Sequence, residues 1–490
     1  MADPVTIAQA RILLDDPHAC TDSGDVLSVF GALFDTLVRR DAAGRYGRAL
    51  ATHWTIAEDA RNFTFQIREN VRFHNGDMLD AGAVKFSLER MARPDMGATL
   101  GAPGVYAQYL AGMTVDCPGP FTVRITLAEP MADLFDVLVA GNIVSPRAIE
   151  AAGEDLAARA IGTGPWRLED YAPGERISLR AHAGHFDGPV AQERLDFLRG
   201  ETPRARLSML RDGVVDVANG LETAEQTFMR EMPGFTCVDY LAPTAIIFMF
   251  NALHGPGADS RVRRALNLGI DRDALIQEVL HGAGQALHGF VSPIHFGADP
   301  EAPAFRQDKA EARRLLVEAG HGDGVSLHVY CPTRLPDEAQ HLVRMVESQL
   351  ADLGVRFDVH LETDRTHYAN QVRLKQIHDL CVFDSSPMST FRVLYEKIDS
   401  RIRGSWWEGY ANPAVEDLID RARRTPEDAA REGLFQECYR RLQDDPPWLY
   451  LYNHRRGIGL RGVHPGWTMR RDGVLDVRGL PKGLLAAARR

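Results

Sequence analysis

Stretches with period-two alternation take turns with stretches of helical spacing along nearly the whole chain, and this rhythm constrains the fold more than any other feature. In Phe63-Thr64-Phe65-Gln66-Ile67 the apolar side chains fall on alternate positions, as a half-buried strand requires. Ala81 to Met91 then repeats apolar residues at helical spacing, with turn chemistry between the two at Asn75-Gly76-Asp77. Val123, Ile125 and Leu127 alternate again, ahead of a helical stretch beginning near Met131. Ala245 to Phe250 reads as a buried strand that leads through His254-Gly255-Pro256-Gly257 into an amphipathic helix from about Ser260. Further on, the pattern predicts a helix over Lys309 to Ala319 ended by Gly320, a strand over Val325 to Tyr330, a long helix over Glu338 to Leu353 ended by Gly354, and a strand over Val355 to Leu361. Elements in this order predict βαβ units and sheets with covered faces, a mixed α/β architecture.

With 490 residues the chain is about three times the size of an average domain, so several core-forming units are expected. No internal repeat or low-complexity linker separates them, and the one tail is the Arg/Ala-rich end from Leu484 to Arg490, so the lobes are expected to be interleaved along the chain. The formal net charge is -11, and the basic residues are scattered rather than gathered into a stripe, which argues against a nucleic-acid partner. The longest stretch free of charged side chains, Tyr240 to Ala258, is broken by Pro243, Asn251, His254 and Pro256 and predicts no spanning helix. Met1-Ala2-Asp3-Pro4-Val5 lacks the basic start and apolar run of a secretory leader, so either a leader is absent from this sequence or the protein works in the cytoplasm. The six cysteines are widely spaced, with no CxxC pair, and read as mostly buried thiols.

The motifs that would carry catalysis are missing. There is no GxSxG elbow, Walker A loop, HExxH or zinc-type cysteine cluster, so the chain is not expected to be an enzyme or to hold a cofactor. His281, His288 and His295 follow one another at seven-residue intervals, a spacing that matches no standard ligand pattern, and no metal site is expected from them.

Several blocks, in order and spacing, resemble the family 5 extracellular solute-binding proteins, the receptors of dipeptide, oligopeptide, nickel-chelate and related ABC importers. The first comprises Ala49-Leu50-Ala51-Thr52-His53-Trp54, Phe63-Thr64-Phe65, Val71-Arg72-Phe73-His74-Asn75-Gly76-Asp77 and Val84-Lys85-Phe86-Ser87-Leu88-Glu89-Arg90. The second is Ile161-Gly162-Thr163-Gly164-Pro165-Trp166-Arg167-Leu168 with Tyr171-Ala172-Pro173-Gly174-Glu175, where glycines permit tight turns and close backbone approach. The third is Phe250-Asn251 with Val262-Arg263-Arg264-Ala265-Leu266-Asn267-Leu268-Gly269-Ile270-Asp271-Arg272, and the fourth Gly409-Tyr410-Ala411-Asn412-Pro413 with Pro446-Pro447-Trp448.

The resemblance implies a bilobal, periplasmic-binding-protein-like fold with an inserted subdomain in the first lobe. Lobe I would comprise residues 1–48, 161–244 and 458–490, its inserted subdomain residues 49–160, and lobe II residues 245–457, with crossings near Val238 to Ala245 and Tyr452 to Gly459. It also implies a periplasmic monomer that captures a small-molecule solute by hinge closure and hands it to the membrane permease subunits of an ABC importer.

In peptide-binding relatives an acidic residue in a tryptophan-, aspartate- and proline-rich loop anchors the ligand's amino group. The corresponding segment here, Asp379 to Arg392, is shorter and hydroxyl-rich, and leaves Asp384 as the anchor among Ser385, Ser386, Ser389 and Thr390. Arg392 and Arg365 are candidates for holding a carboxylate or phosphate through a bidentate fork. Asp384 and Arg392 are expected to offer opposite charges to a zwitterionic or anionic solute, with Trp406 or Trp407 stacked over it. His18, Tyr109, Asn142, Trp166 and Asn251 occupy segments that line the ligand cleft in relatives. The departure from the family's anchor loop points to a small polar peptide-like or opine-like solute. The alternatives are a nickel or metal-chelate receptor, or a cytoplasmic ligand sensor of the same fold.

Overall fold

The computed structural model describes residues 4–41, 43–97, 104–334, 336–481 and 484. The first three residues and the Arg/Ala-rich end beyond Leu484 therefore lie outside the described residues. The chain divides into two compact units, residues 1–240 with 456–490, and residues 241–455. Two long strands, Phe235–Phe250 and Trp448–Arg461, contain the boundaries.

In the first unit, strand Val5–Gln9 runs parallel to both Arg194–Arg199 and Val217–Leu221. Antiparallel neighbours Arg176–Ala181 and Trp166–Ala172 extend the sheet on one side, and Gly457 to Leu460 pair with Val217–Leu221 on the other. A separate four-stranded antiparallel sheet is built from Ala51–Ile56, Asn62–Ile67, Thr122–Thr126 and Thr114–Gly119. Phe63, Phe65, Val123 and Ile125 are fully buried while Thr64 and Arg124 between them are not, which is the period-two pattern read from the sequence. Helix Ala81–Met91 starts where Asp80 accepts a hydrogen bond from the Ala83 N–H.

In the second unit, Val325–Pro332 runs parallel to Val355–Glu362 and to Leu380–Ser385, and the last of these pairs antiparallel with Ala245 to Phe250. One face of this sheet, carrying Phe248, Leu327, Val329, Leu380 and Val382, packs against helices Ser260–Gly269, Arg272–Leu280, Lys309–Glu318 and Ala339–Leu350 in a single core. The helix expected over Glu338 to Leu353 is an α-helix that tightens into a 3₁₀ turn at Ala351–Leu353, and Gly354, in the left-handed region with φ 78°, ends it. The uncharged stretch from Tyr240 to Ala258 covers the C-terminal part of strand Phe235–Phe250 and runs on through the 3₁₀ turn Pro256–Ala258, and no helix among the described residues is long and apolar enough to cross a membrane.

The blocks that carry the family resemblance turn out to be structural. A Cβ on Gly162 or Gly164 would meet the Leu33 carbonyl oxygen at 2.2 and 2.7 Å, so both glycines allow the chain to press against the end of helix Gly24–Leu33. Arg263 donates to the carbonyls of Pro446 and Gly257 and pairs with Asp445, which also accepts from Asn412. Asn412 in turn caps helix Pro413–Arg423. Four of the six cysteines are buried, Cys237 is half-buried and Cys117 is exposed.

Candidate functional site

The segment singled out for solute recognition begins on strand Leu380–Ser385. Because side chains alternate along a strand, Leu380 and Val382 enter the helix-covered core while Phe383 faces the other way. On that second face the Trp406 ring lies 5.2 Å from the Phe383 ring, and the Arg365 guanidinium lies 5.9 Å from Phe383 and 5.2 Å from Tyr368. Arg365 is the first residue of helix Arg365–Arg373, whose N-cap Asp364 accepts from the Thr366 and His367 N–H groups. This cap aims Arg365 at the strand, where its Nη2 donates to Asp384 Oδ1 at 3.3 Å. The remaining donors, Nε and Nη1, are shielded from solvent and have no hydrogen-bond partner. Buried donors without an acceptor are unfavourable, and a planar guanidinium matches a carboxylate best.

Arg392 belongs to the helix that follows the strand. It lies in the second turn's reach of Glu396 on the buried helix Thr390–Lys397, and its Nε donates to Glu396 Oε1 at 3.0 Å, with both side chains less than a tenth exposed. The guanidinium that meets Asp384 is thus Arg365 and not Arg392, because helical i,i+4 spacing hands Arg392 a carboxylate of its own. Ser385 accepts from Lys397 Nζ at 3.2 Å, Ser386 is half-buried, and Ser389 caps the helix by accepting from the Arg392 N–H.

Trp406 and Trp407 are 6% and 8% exposed, so each offers little free ring surface. Trp407 is held by its Nε1 donating to the Tyr410 carbonyl. Beside them is a pair that sequence inspection missed, Glu408 and Lys375, 3.5 Å apart. Burial outweighs their attraction: it pushes the Glu408 carboxyl up to about 8 and the Lys375 ammonium down. Glu408 adjoined the tryptophan pair in sequence, but Lys375 is remote in sequence and carried no signal.

The other predicted residues sit elsewhere. Asn251 donates to the His378 carbonyl and accepts from the Leu253 N–H, which organises a turn of the second unit. In the first unit, Trp166 is wholly enclosed and its Nε1 donates to the Gln192 carbonyl. His18 and Asn142 come together, since His18 Nε2 lies 2.8 Å from the Asn142 carbonyl and Asn142 Nδ2 donates to the Pro17 carbonyl. Arg90 Nη1 reaches His18 Nδ1, so the imidazole is neutral, accepting at Nδ1 and donating at Nε2; burial first and Arg90 second hold it down to about 4. Asp16 gathers Arg90 and Arg159 around this network, and burial nearly encloses Tyr109. Among the described residues no group of three or more His, Cys, Asp or Glu side chains is arranged to hold a metal ion.

The profile of the bacterial extracellular solute-binding proteins, family 5, matches residues 45–391. The glutathione-binding protein GsiB of Salmonella paratyphi A is 28% identical over 359 residues, covering 72% of this chain and 68% of the relative. Two solved structures share the fold at 20% identity. HbpA2 from Haemophilus parasuis superposes with a TM-score of 0.82 over 97% of this chain and 99% of its own. AgaA from A. tumefaciens R10, in complex with agropinic acid, superposes with a TM-score of 0.79 over 99% of this chain and 98% of its own. This chain belongs to the bacterial extracellular solute-binding proteins of family 5, non-enzymatic receptors of ABC importers.

Proposed function

We propose that the chain is the receptor for a small zwitterionic or anionic solute of peptide-like or opine-like chemistry, with Arg365 and Asp384 as its charged contacts. The observation that carries this reading is the pair of buried, unpartnered Arg365 nitrogens next to the Asp384 carboxylate. A solute carboxylate would satisfy those nitrogens, and a solute ammonium would meet Asp384. Phe383 and Trp406 would supply the apolar wall. The glutathione bound by the Salmonella relative and the agropinic acid bound by AgaA are both small carboxylate-bearing solutes, which supports the same class.

In this proposal residues 1–48, 161–244 and 458–490 form one lobe with residues 49–160 as its subdomain, and residues 245–457 form the other. Movement about the two connecting strands retains the solute, and the monomer delivers it in the periplasm to membrane permease subunits. His18, Asn142 and Asn251 contribute by fixing backbone turns, since their polar atoms already have protein partners.

A thermal-shift screen of small peptides, opines, phosphorylated sugars and metal chelates tests the solute class. A specific hit present at 100 times its Kd raises stability by about 2.7 kcal/mol. Calorimetry with that hit should then show affinity falling well over tenfold in Arg365→Gln and in Asp384→Asn, consistent with about 2 to 5 kcal/mol for a desolvated charge partner. Parent-like binding by both folded variants would place recognition elsewhere.

A further inference from the structure

The sheet of the second unit ends in an open edge. Among the described residues strand Val355–Glu362 pairs with Val325–Pro332 alone and stands last in the strand order. The Val325 N–H donates to the Gly354 carbonyl and the Thr333 N–H to the Glu362 carbonyl, so the even-numbered residues of the strand turn their backbone groups toward its neighbour. The odd-numbered ones, Val355, Phe357, Val359 and Leu361, turn theirs outward. One of these outward groups is covered, since the Phe357 N–H donates to Glu347 Oε1 at 2.8 Å. Side chains alternate in the same way. Val355 and Phe357 pack into the helix-covered core, while Val359 and Leu361 on that face lie past its reach, 37% and 48% exposed. Arg356, Asp358, His360 and Glu362 occupy the opposite face, and the first three of them are exposed. Asp358 has His328 3.6 Å away on its own chain, and Glu362 Oε1 accepts from the Asp364 N–H at 2.8 Å, so both carboxylates are oriented. A long edge strand with exposed apolar side chains is a template for another strand.

We propose that this edge pairs with the same edge of a second copy of the chain, antiparallel across a twofold axis at Val359. The charge pattern of the strand selects that occupant. With Val359 facing its own copy, Asp358 lies opposite the partner's His360, Arg356 opposite the partner's Glu362 and Phe357 opposite the partner's Leu361, and each contact occurs twice by symmetry. The charged residues fall at the non-hydrogen-bonded positions of such a ladder, where opposed side chains stand closest. An imidazole N–H donates to a carboxylate whether or not the ring is charged. Neighbouring registers lose this match. An axis at Asp358 sets that carboxylate against itself, an axis at His360 sets Asp358 against the partner's Glu362, and an axis at Leu361 sets Asp358 against the partner's Asp364. An axis at Phe357 leaves His360 and Glu362 opposite no residue of the strand. Charge that guards an edge against its own copy puts like signs opposite one another, and here the signs are complementary. Pairing displaces Glu347 from the Phe357 N–H, which then donates to the partner's Leu361 carbonyl. One strand of 8 residues buries less than the about 1,200 Å² of a stable interface, so the association is weak and the single chain prevails at low concentration. The inference goes beyond the receptor reading and leaves the delivering form a monomer.

Sedimentation equilibrium of the full chain without solute, from about 1 µM to about 1 mM, tests this edge. The parent should pass from monomer to dimer and no further, because a twofold contact uses up the edge. Val359→Lys, which sets two ammonium groups against each other on the axis, should stay monomeric throughout. Asp358→Lys should weaken pairing at least about tenfold, and adding His360→Glu to it should bring the affinity back to within about threefold of the parent, because the exchange reverses the sign of both partners. Val317→Lys, at an exposed apolar position on helix Lys309–Glu318 away from the edge, should pair as the parent does. Circular dichroism checks that every variant keeps the fold. A parent that is still monomeric at about 1 mM overturns the proposal, as does a Val359→Lys chain that pairs like the parent or a double variant no tighter than Asp358→Lys. Because no solute is present, the result is independent of how the Arg365 and Asp384 variants behave.

Discussion

Arg272 and Arg365 begin from the same local sequence and end in opposite surroundings. Each follows an aspartate, each is the first residue of a helix in the second unit, and in each case that aspartate caps the helix. Arg272 is enclosed by acceptors: its Nε reaches the Leu287 and Tyr450 carbonyls, Nη1 the Asn267 carbonyl, and Nη2 the Asn267 side-chain oxygen. Arg365 has one carboxylate and two donors without a partner. The difference teaches that an Asp-Arg helix start is a way of aiming a guanidinium, while what it is aimed at decides whether all of its donors are satisfied by the fold, as at Arg272, or some are left without an acceptor, as at Arg365.

The largest test of this contrast is Arg272→Met, which strands several carbonyls in the core. Unfolding by denaturant should show a loss of about 3 to 5 kcal/mol, with solute affinity per folded molecule unchanged. A loss under about 1 kcal/mol would end the structural reading of Arg272. Arg392→Gln comes next, because it leaves Glu396 buried without its helical partner, and a loss of about 3 kcal/mol is expected. If that variant instead keeps parental stability and fails to bind solute, Arg392 belongs with Arg365 on the ligand side of the comparison.

Glu408 gives a pH-dependent intermediate case. Its folded value of about 8 lies above the ordinary 4.5, so between those limits the folded protein keeps a proton that the unfolded chain has released. Stability should therefore fall as pH rises through that window, by at most about 1.4 kcal/mol per pH unit, and Glu408→Gln should flatten the slope. Melting curves from pH 5 to 8, in about four steps, read it directly. An unchanged slope in the variant would mean that Lys375 keeps Glu408 ionised. The smallest effect is expected for Arg365→Met, whose unfolding free energy should stay within about 1 kcal/mol of the parent, since it gives up one 3.3 Å hydrogen bond and the cation's contact with the Tyr368 and Phe383 rings but relieves two unpartnered donors. A loss as large as that of Arg272→Met would erase the distinction.

Local pattern was enough for the elements. The helix over Ala81 to Met91 and the strand over Phe63 to Ile67 appear with nearly those limits, because alternation and helical spacing report which side of an element is buried. The family blocks were legible for the same reason: Gly162, Gly164, Arg263 and Asn412 are required by close backbone approach, buried carbonyls and a helix cap, which are demands the fold itself imposes. The candidate site was legible in part. Asp384, Arg365 and the tryptophans could be named from the chain, but the partner of Asp384 could not, since Arg392 was nearer in sequence while Glu396 waited one helical turn beyond it.

What the sequence determined by itself is the α/β order of elements and the membership of a solute-binding family, both of which follow from contacts between residues close in the chain or from blocks the fold requires. Only the tertiary structure decided that Arg365 meets Asp384 and that Lys375 meets Glu408. Those encounters depend on strand register and on which helix end approaches which strand. Register is a property of packed neighbours and leaves no periodic trace along the chain.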